Sequence, residues 1–302
     1  MRIALLSLAF IFQFTVSAQS FTSQMVEHDG FKHHIRIAGE GSPILLINGG
    51  PGMNCNGFDH IGSILAKNHT VILYDQRGTG LSVSEDLDSS DLTMEAMVED
   101  IEAIRKHLGY EKWILMGQSF GGVLSYHYAV KYPERITAMI QSSSGGMDLE
   151  VRDKILVNER LTSDQRDSLT WFRERMTSND DRYAEKYRMY LGCAYVYNDE
   201  FAPIIGERLA EANLDVNRLI WADLERIEFD VKEEMLTFQQ PVLIIQGEYD
   251  MIDISIAELQ HEILPDSRLV IVPESGHYGW LDNPDVYLSS IDQFLDELEE
   301  QQ

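Results

Sequence analysis

Cysteine is scarce in this chain: Cys55 and Cys193 are the only two it has. Two cysteines in 302 residues do not make a disulfide framework, even in an oxidising compartment. No C-x-x-C pair or spaced His/Cys set is present, so no metal site is expected. Positive charge is also scarce, with 24 Lys and Arg against 50 Asp and Glu and a net charge of −26. That balance repels a nucleic-acid backbone and excludes nucleic acid as a partner. It favours solubility, and the acidic stretch 296–300 belongs to that solvated surface. Repeats and low-complexity tracts are lacking. Beyond the N-terminus no apolar run is long enough to cross a bilayer, so no stable membrane association is expected of the mature chain.

The N-terminus is the exception. Met1-Arg2 precedes an almost wholly apolar run over 3–16, and Val16-Ser17-Ala18 supplies a small-residue exit. A basic start, an apolar core too short for a span and small residues at the end are the pattern of a secretory signal peptide. Cleavage is expected after Ala18, which sets residues 1–18 outside the fold and makes the mature protein secreted or periplasmic. With 44% hydrophobic and 25% charged residues, the remainder reads as an ordinary globular chain.

Short apolar runs alternate with helical patterns. Strands are expected over 31–37, 43–47, 70–75 and 136–142, with a further strand ending at Gly117. Adjacent His33 and His34 in the first of these read as ordinary strand residues. Asp75 and Arg77, leaving the 70–75 strand, are placed to pair with each other. Thr93 caps a helix whose apolar positions Met97, Ile101, Ile104 and Leu108 recur every three or four residues up to Gly109. This rhythm predicts an α/β fold with a mostly parallel sheet flanked by helices. It breaks over 147–237, which is charged, helical and without a buried strand, and returns with strands at 241–245 and 268–272 and helices at 255–263 and 284–298. The expected organisation is therefore a core in two parts, 19–146 and 238–302, with 147–237 inserted as a helical cap. Within the cap Tyr183, Tyr187 and Tyr190 fall on one helix face, either as packing or as the ceiling of a substrate pocket.

The chemistry centres on Gly117-Gln118-Ser119-Phe120-Gly121. An apolar strand runs into it and a helix, 120–131, leaves it, the context of a nucleophile elbow. A serine needs a base to take its proton and an acid to orient the base. The 241–245 strand runs into Gln246-Gly247-Glu248-Tyr249-Asp250, and the 268–272 strand into a loop holding His277. Ser119, Asp250 and His277 thus each follow a buried strand, at the sheet edge where ligands bind in open α/β sheets. Glu248 and Asp253 compete for the acid position; His60, His127 and His261 are less well placed for the base. The oxyanion of an acyl-transfer intermediate needs pre-placed donors. The Phe120 N–H is one. Three glycines and a proline in Asn48-Gly49-Gly50-Pro51-Gly52 bring a second, Gly50, with Gly49 beside it against the substrate. This chemistry calls for no metal and no organic cofactor.

The order serine, aspartate, histidine is that of the α/β-hydrolases. Asn48-Gly49-Gly50-Pro51-Gly52, Asp75-Gln76-Arg77-Gly78-Thr79-Gly80-Leu81-Ser82, Gly117-Gln118-Ser119-Phe120-Gly121-Gly122, Gly247-Glu248-Tyr249-Asp250 and Gly276-His277 together resemble the proline iminopeptidases. These are capped α/β-hydrolases that release an N-terminal proline from peptides. The resemblance spans residues 31–298. It implies that a glutamate four residues after a cap tryptophan holds the substrate's free amine, and Trp221-Ala222-Asp223-Leu224-Glu225 puts Trp221 and Glu225 in those places. Departures are Asn48 where the family usually has histidine, Phe120 where it has tryptophan, Met251 after the triad aspartate, and a short segment between Glu225 and Pro241. The expected substrate is a small peptide cut by a serine aminopeptidase. A hydrolase of esters, lactones or other small amides is the alternative, and a binding protein on a hydrolase scaffold is a third reading, opposed by the intact triad.

Overall fold

The computed structural model describes residues 20–83, 90–176 and 180–300; the expected signal peptide, 1–18, lies outside the described residues. A hairpin comes first, β1 (Thr22–His28) and β2 (Phe31–Ala38), turning through Asp29-Gly30. The runs β3 (Pro43–Ile47), β4 (Thr70–Tyr74), β5 (Trp113–Gln118), β6 (Ile136–Ser142), β7 (Val242–Gly247) and β8 (Ser267–Val272) follow. The described residues form an eight-stranded sheet in the order β1-β2-β4-β3-β5-β6-β7-β8. β1 and β2 pair antiparallel, as do β2 and β4; every other pairing is parallel. β1 had no counterpart in the sequence reading, because most of its side chains are exposed and Val26 alone is buried.

Alternate residues of the central strands feed two cores, as the period of two requires. Leu45, Ile47, Ile72 and Leu115 face α2 (Met94–Leu108) and α3 (Phe120–Lys131), while Ile44, Leu46, Leu73 and Met116 face α1 (Asp59–Leu65) and the helix Pro284–Glu300. Thr93 caps α2 through the Ala96 N–H, and Gly109 closes it in the left-handed conformation, both as predicted.

β6 and β7 are neighbours in the sheet, and the whole cap is carried between them. Its main helices are Ser163–Arg173, Asp181–Gly192, Ala202–Ala210 and Leu214–Arg226. Ile220 and Leu224 from the last of these join the core under α2, each side chain contributing roughly 1.5–3 kcal/mol by leaving water. Asp223 accepts from the Met94 N–H at 2.8 Å and thereby also caps α2. Arg208 reaches down to Asn54 Oδ1 at 2.7 Å.

The expected Asp75–Arg77 pair does not form. The Asp75 carboxylate accepts from the Cys55 N–H, the Leu81 N–H and His34, each at 2.9 Å, while Arg77 Nε donates to Asp100 at 2.9 Å. Asp75 folds back under its own loop, where three donors already converge, and Arg77 extends to a buried carboxylate on α2. His33 joins that cluster, 2.9 Å from Asp100. Cys55 and Cys193 are both free and buried; burial, foremost, and then Asp75 push the Cys55 thiol up to about 12.

Candidate active site

Ser119 stands between β5 and α3 with φ 56° and ψ −121°. A non-glycine residue there stores roughly 1–3 kcal/mol of backbone strain, which the surroundings must over-determine. They do: the Ser119 N–H donates to the Ser142 carbonyl at 3.0 Å, and its own carbonyl accepts from Gly122 at 2.9 Å and Gly145 at 3.0 Å. The elbow also needs a bare backbone at Gly121, where a Cβ would stand 2.0 Å from the Ile47 carbonyl oxygen.

Past β7, Asp250 is 1% exposed; past β8, His277 is 2% exposed. His277 Nδ1 lies 2.8 Å from Asp250 Oδ1, which also accepts from the Ile252 N–H at 2.8 Å. The competitors fall away. Glu248 is exposed and takes the Glu274 N–H at 3.3 Å. Asp253 caps the helix Ile254–Ile263 through Ser255. His60 is exposed, His127 packs edge-on against Phe229, and His261 lies 2.8 Å from Ser267.

Two cap residues hold these loops, and neither carries a motif or spacing that marks it. The His277 N–H donates to the Tyr195 carbonyl at 2.7 Å, and Arg160 Nε donates to the Asp250 carbonyl at 2.7 Å. The Tyr195 ring also meets the His277 ring edge-on, centroids 5.5 Å apart.

The glycine loop lies directly against the elbow. A Cβ on Gly49 would come within 2.6 Å of Ser119 Cβ. Asn48 Nδ2 donates to the Met53 carbonyl at 2.7 Å, and Gln76 Nε2 to the Asn48 carbonyl at 2.8 Å, which fixes the loop from below. Gly49, Gly50, Ser119, Phe120 and His277 line one cavity of about 570 Å³. The cap supplies its ceiling, including Tyr187, Leu191, Tyr195 and Trp221. The tyrosine stripe therefore divides: Tyr187 faces the cavity, whereas Tyr183 and Tyr190 pack on Trp171 and Phe172.

Glu225 is not brought into this cavity. Its carboxylate pairs with Arg152, the two side chains 52% and 49% exposed. It borders an open depression on the outer face with Asp148, Glu150 and Glu228. Trp221 and Glu225 share a helix face, but the Arg152 guanidinium sits 5.8 Å from the Trp221 ring centroid and takes the carboxylate one turn further on. No Asp or Glu lines the cavity among the described residues. Among them, too, no group of three His, Cys, Asp or Glu is placed to hold a metal ion.

A family model described as alpha/beta hydrolase fold matches residues 42–284. The chain is 26% identical over 272 residues to a proline iminopeptidase of Saccharolobus solfataricus, covering 87% of each chain. It is 26% identical over 288 residues to a proline iminopeptidase of Lactobacillus helveticus, covering 90% of this chain and 96% of that one. Its fold is similar to the crystal structure of a proline iminopeptidase of Mycobacterium smegmatis, with a TM-score of 0.73, 21% identity and coverage of 93% and 99%. An esterase of Exiguobacterium antarcticum superposes nearly as well, with a TM-score of 0.71, 19% identity and coverage of 91% and 100%.

Proposed function

Because the chain belongs to the α/β-hydrolase fold family, we propose that it is a serine hydrolase that cleaves a small amide or ester through an acyl-enzyme on Ser119. The observation that carries this reading is the buried 2.8 Å contact of His277 with Asp250 beside a strained serine on the floor of one cavity. Asp250 holds His277 with Nδ1 toward it, which leaves Nε2 as the base. Ser119 Oγ attacks the substrate carbonyl and its proton passes to His277. The amide or ester bond breaks, and His277 returns the proton to the departing amine or alcohol. Water then gives a proton to His277 and attacks the acyl carbon; the bond to Ser119 Oγ breaks, His277 returns the proton to that oxygen, and the acid leaves. The N–H groups of Phe120 and Gly50 hold the oxyanion, each worth roughly 2.7–4 kcal/mol of barrier.

Release of an N-terminal proline from a small peptide is the form of this chemistry supported by the sequence motifs and by the relatives named proline iminopeptidases. Hydrolysis of small esters is the second reading, favoured by a cavity that no Asp or Glu lines among the described residues. The apolar 3–16 segment supports secretion, so the substrate is met outside the cytoplasm.

The test compares a proline arylamide with a free amine, its N-acylated form, and a short p-nitrophenyl ester. Turnover of the free-amine arylamide in preference to its acylated form supports the aminopeptidase. Turnover of the ester alone leaves the serine hydrolase and removes the aminopeptidase. No turnover, together with no labelling of Ser119 by a fluorophosphonate, removes both.

A further inference from the structure

Most of the cavity wall is hydrocarbon. Tyr187, Leu191 and Trp221 form part of its ceiling, and Leu214 and Met176 at its edge are 74% and 39% exposed. Arg188, beside Tyr187 on the helix Asp181–Gly192, lines the same cavity and is the one Lys or Arg to do so among the described residues. Its Nε is shut off from solvent with no hydrogen-bond partner.

This is conspicuous in a chain with 50 acids for 24 Lys and Arg. Other cap arginines are engaged or exposed: Arg182, Arg208 and Arg226 take Asp180, Glu211 and Asp223, Arg160 and Arg166 donate to backbone carbonyls, and Arg173 is exposed. Arg188 has no ion pair with any described residue. A guanidinium cannot shed its charge, and a buried N–H left without an acceptor costs free energy. The guanidinium is thus a lone fixed positive charge at an apolar cavity, and its fork matches a planar carboxylate.

We infer that Arg188 anchors a carboxylate of the substrate, whose apolar body spans the cavity and whose scissile carbonyl lies over Ser119. The inference rests on the serine-hydrolase reading and names its substrate class. The carboxylate belongs either to the acyl half, as in a monoester of a dicarboxylic acid, or to the leaving group, as in an ester of a hydroxybenzoic acid or the C-terminus of a short peptide.

The first test is binding to the Ser119→Ala protein by calorimetry, which needs no turnover. Heptanoate binds at least about tenfold more tightly than heptan-1-ol, the worth of a charge-assisted hydrogen bond. Adding Arg188→Gln removes the difference, and adding Arg188→Lys keeps part of it. Undetectable heptanoate binding, or a difference that survives Arg188→Gln, overturns the inference.

The second test is turnover. p-Nitrophenyl hexanoate is compared with the mono-p-nitrophenyl ester of adipic acid, and phenyl acetate with 4-acetoxybenzoate. In one pair the acid is preferred in kcat/KM, and Arg188→Gln lowers that ratio at least about tenfold. The pair that responds tells which half carries the carboxylate. Turnover with no preference dependent on Arg188 overturns the inference and leaves the hydrolase standing. Arg188-dependent binding of heptanoate without turnover of any ester, any amide or a fluorophosphonate leaves the anchor standing and removes the hydrolase.

Discussion

The backbone carbonyl of Tyr195 accepts a hydrogen bond from the backbone N–H of His277 at 2.7 Å, so the loop that carries His277 is fastened to the cap. Arg160 does the same for the Asp250 loop, donating to the Asp250 carbonyl at 2.7 Å. The cap therefore does more than roof the cavity; it sets where His277 and Asp250 stand. Arg160→Ala is expected to lower kcat about tenfold with little change in KM, and to cost about 1–2 kcal/mol of stability. Steady-state kinetics with urea unfolding checks this; a change confined to KM would contradict it.

If Ser119 is the nucleophile proposed above, Ser119→Ala is expected to abolish both turnover and fluorophosphonate labelling. Asp250→Asn keeps the volume but favours the wrong imidazole tautomer, and kcat is expected to fall by about four orders of magnitude. Labelling of Asp250→Asn at the rate of the parent protein would remove Asp250 from the reaction.

Glu225→Gln is expected to leave KM for free-amine substrates unchanged, because the carboxylate is committed to Arg152 outside the cavity. Both side chains are about half exposed, so stability should shift by less than about 1 kcal/mol. A several-fold rise in KM for amine substrates alone would restore it as an amine anchor.

Asp75 supplies a pH signature. Burial raises the proton affinity of its carboxyl, but the N–H groups of Cys55 and Leu81 and the His34 ring outweigh it and hold the group below its ordinary value. A depressed folded value means that the stabilisation is present above the unfolded pKa of about 3.9 and is lost as pH falls through the folded one. Asp75→Asn should therefore destabilise at pH 7 by about 1–3 kcal/mol. The gap to the parent protein should narrow below about pH 4. Urea titrations across that range decide it; a gap independent of pH speaks against the ionised carboxylate.

Ser119, Asp250 and His277 were legible because each follows a short run of β-branched and aliphatic residues, a local signal that survives without knowing the packing. Their partners in the cap were not. Arg160 and Tyr195 act through a side chain reaching the Asp250 carbonyl and through a backbone carbonyl, and neither leaves a mark in residue spacing. Glu225 shows the limit of helical spacing. Four residues after Trp221 gives the same face, but where that face ends relative to the cavity depends on Arg152, far away in sequence. Arg188 was hidden for a similar reason, since a charged residue beside a tyrosine stripe reads as solvated until the helix's rotation is known. Asp75 and Arg77 looked like a pair because they are two apart, yet each finds a better partner through a turn of the chain that local pattern does not encode.

The placement of Asp250 and His277 after β7 and β8 bears on how the protein is made. These are the last two strands of the sheet in chain order, whereas Ser119 follows β5. A chain growing on the ribosome carries Ser119 through the synthesis of the whole cap before Asp250 and His277 exist. On the serine-hydrolase reading, the ability to form a covalent acyl adduct arrives only with the final stretch of the chain.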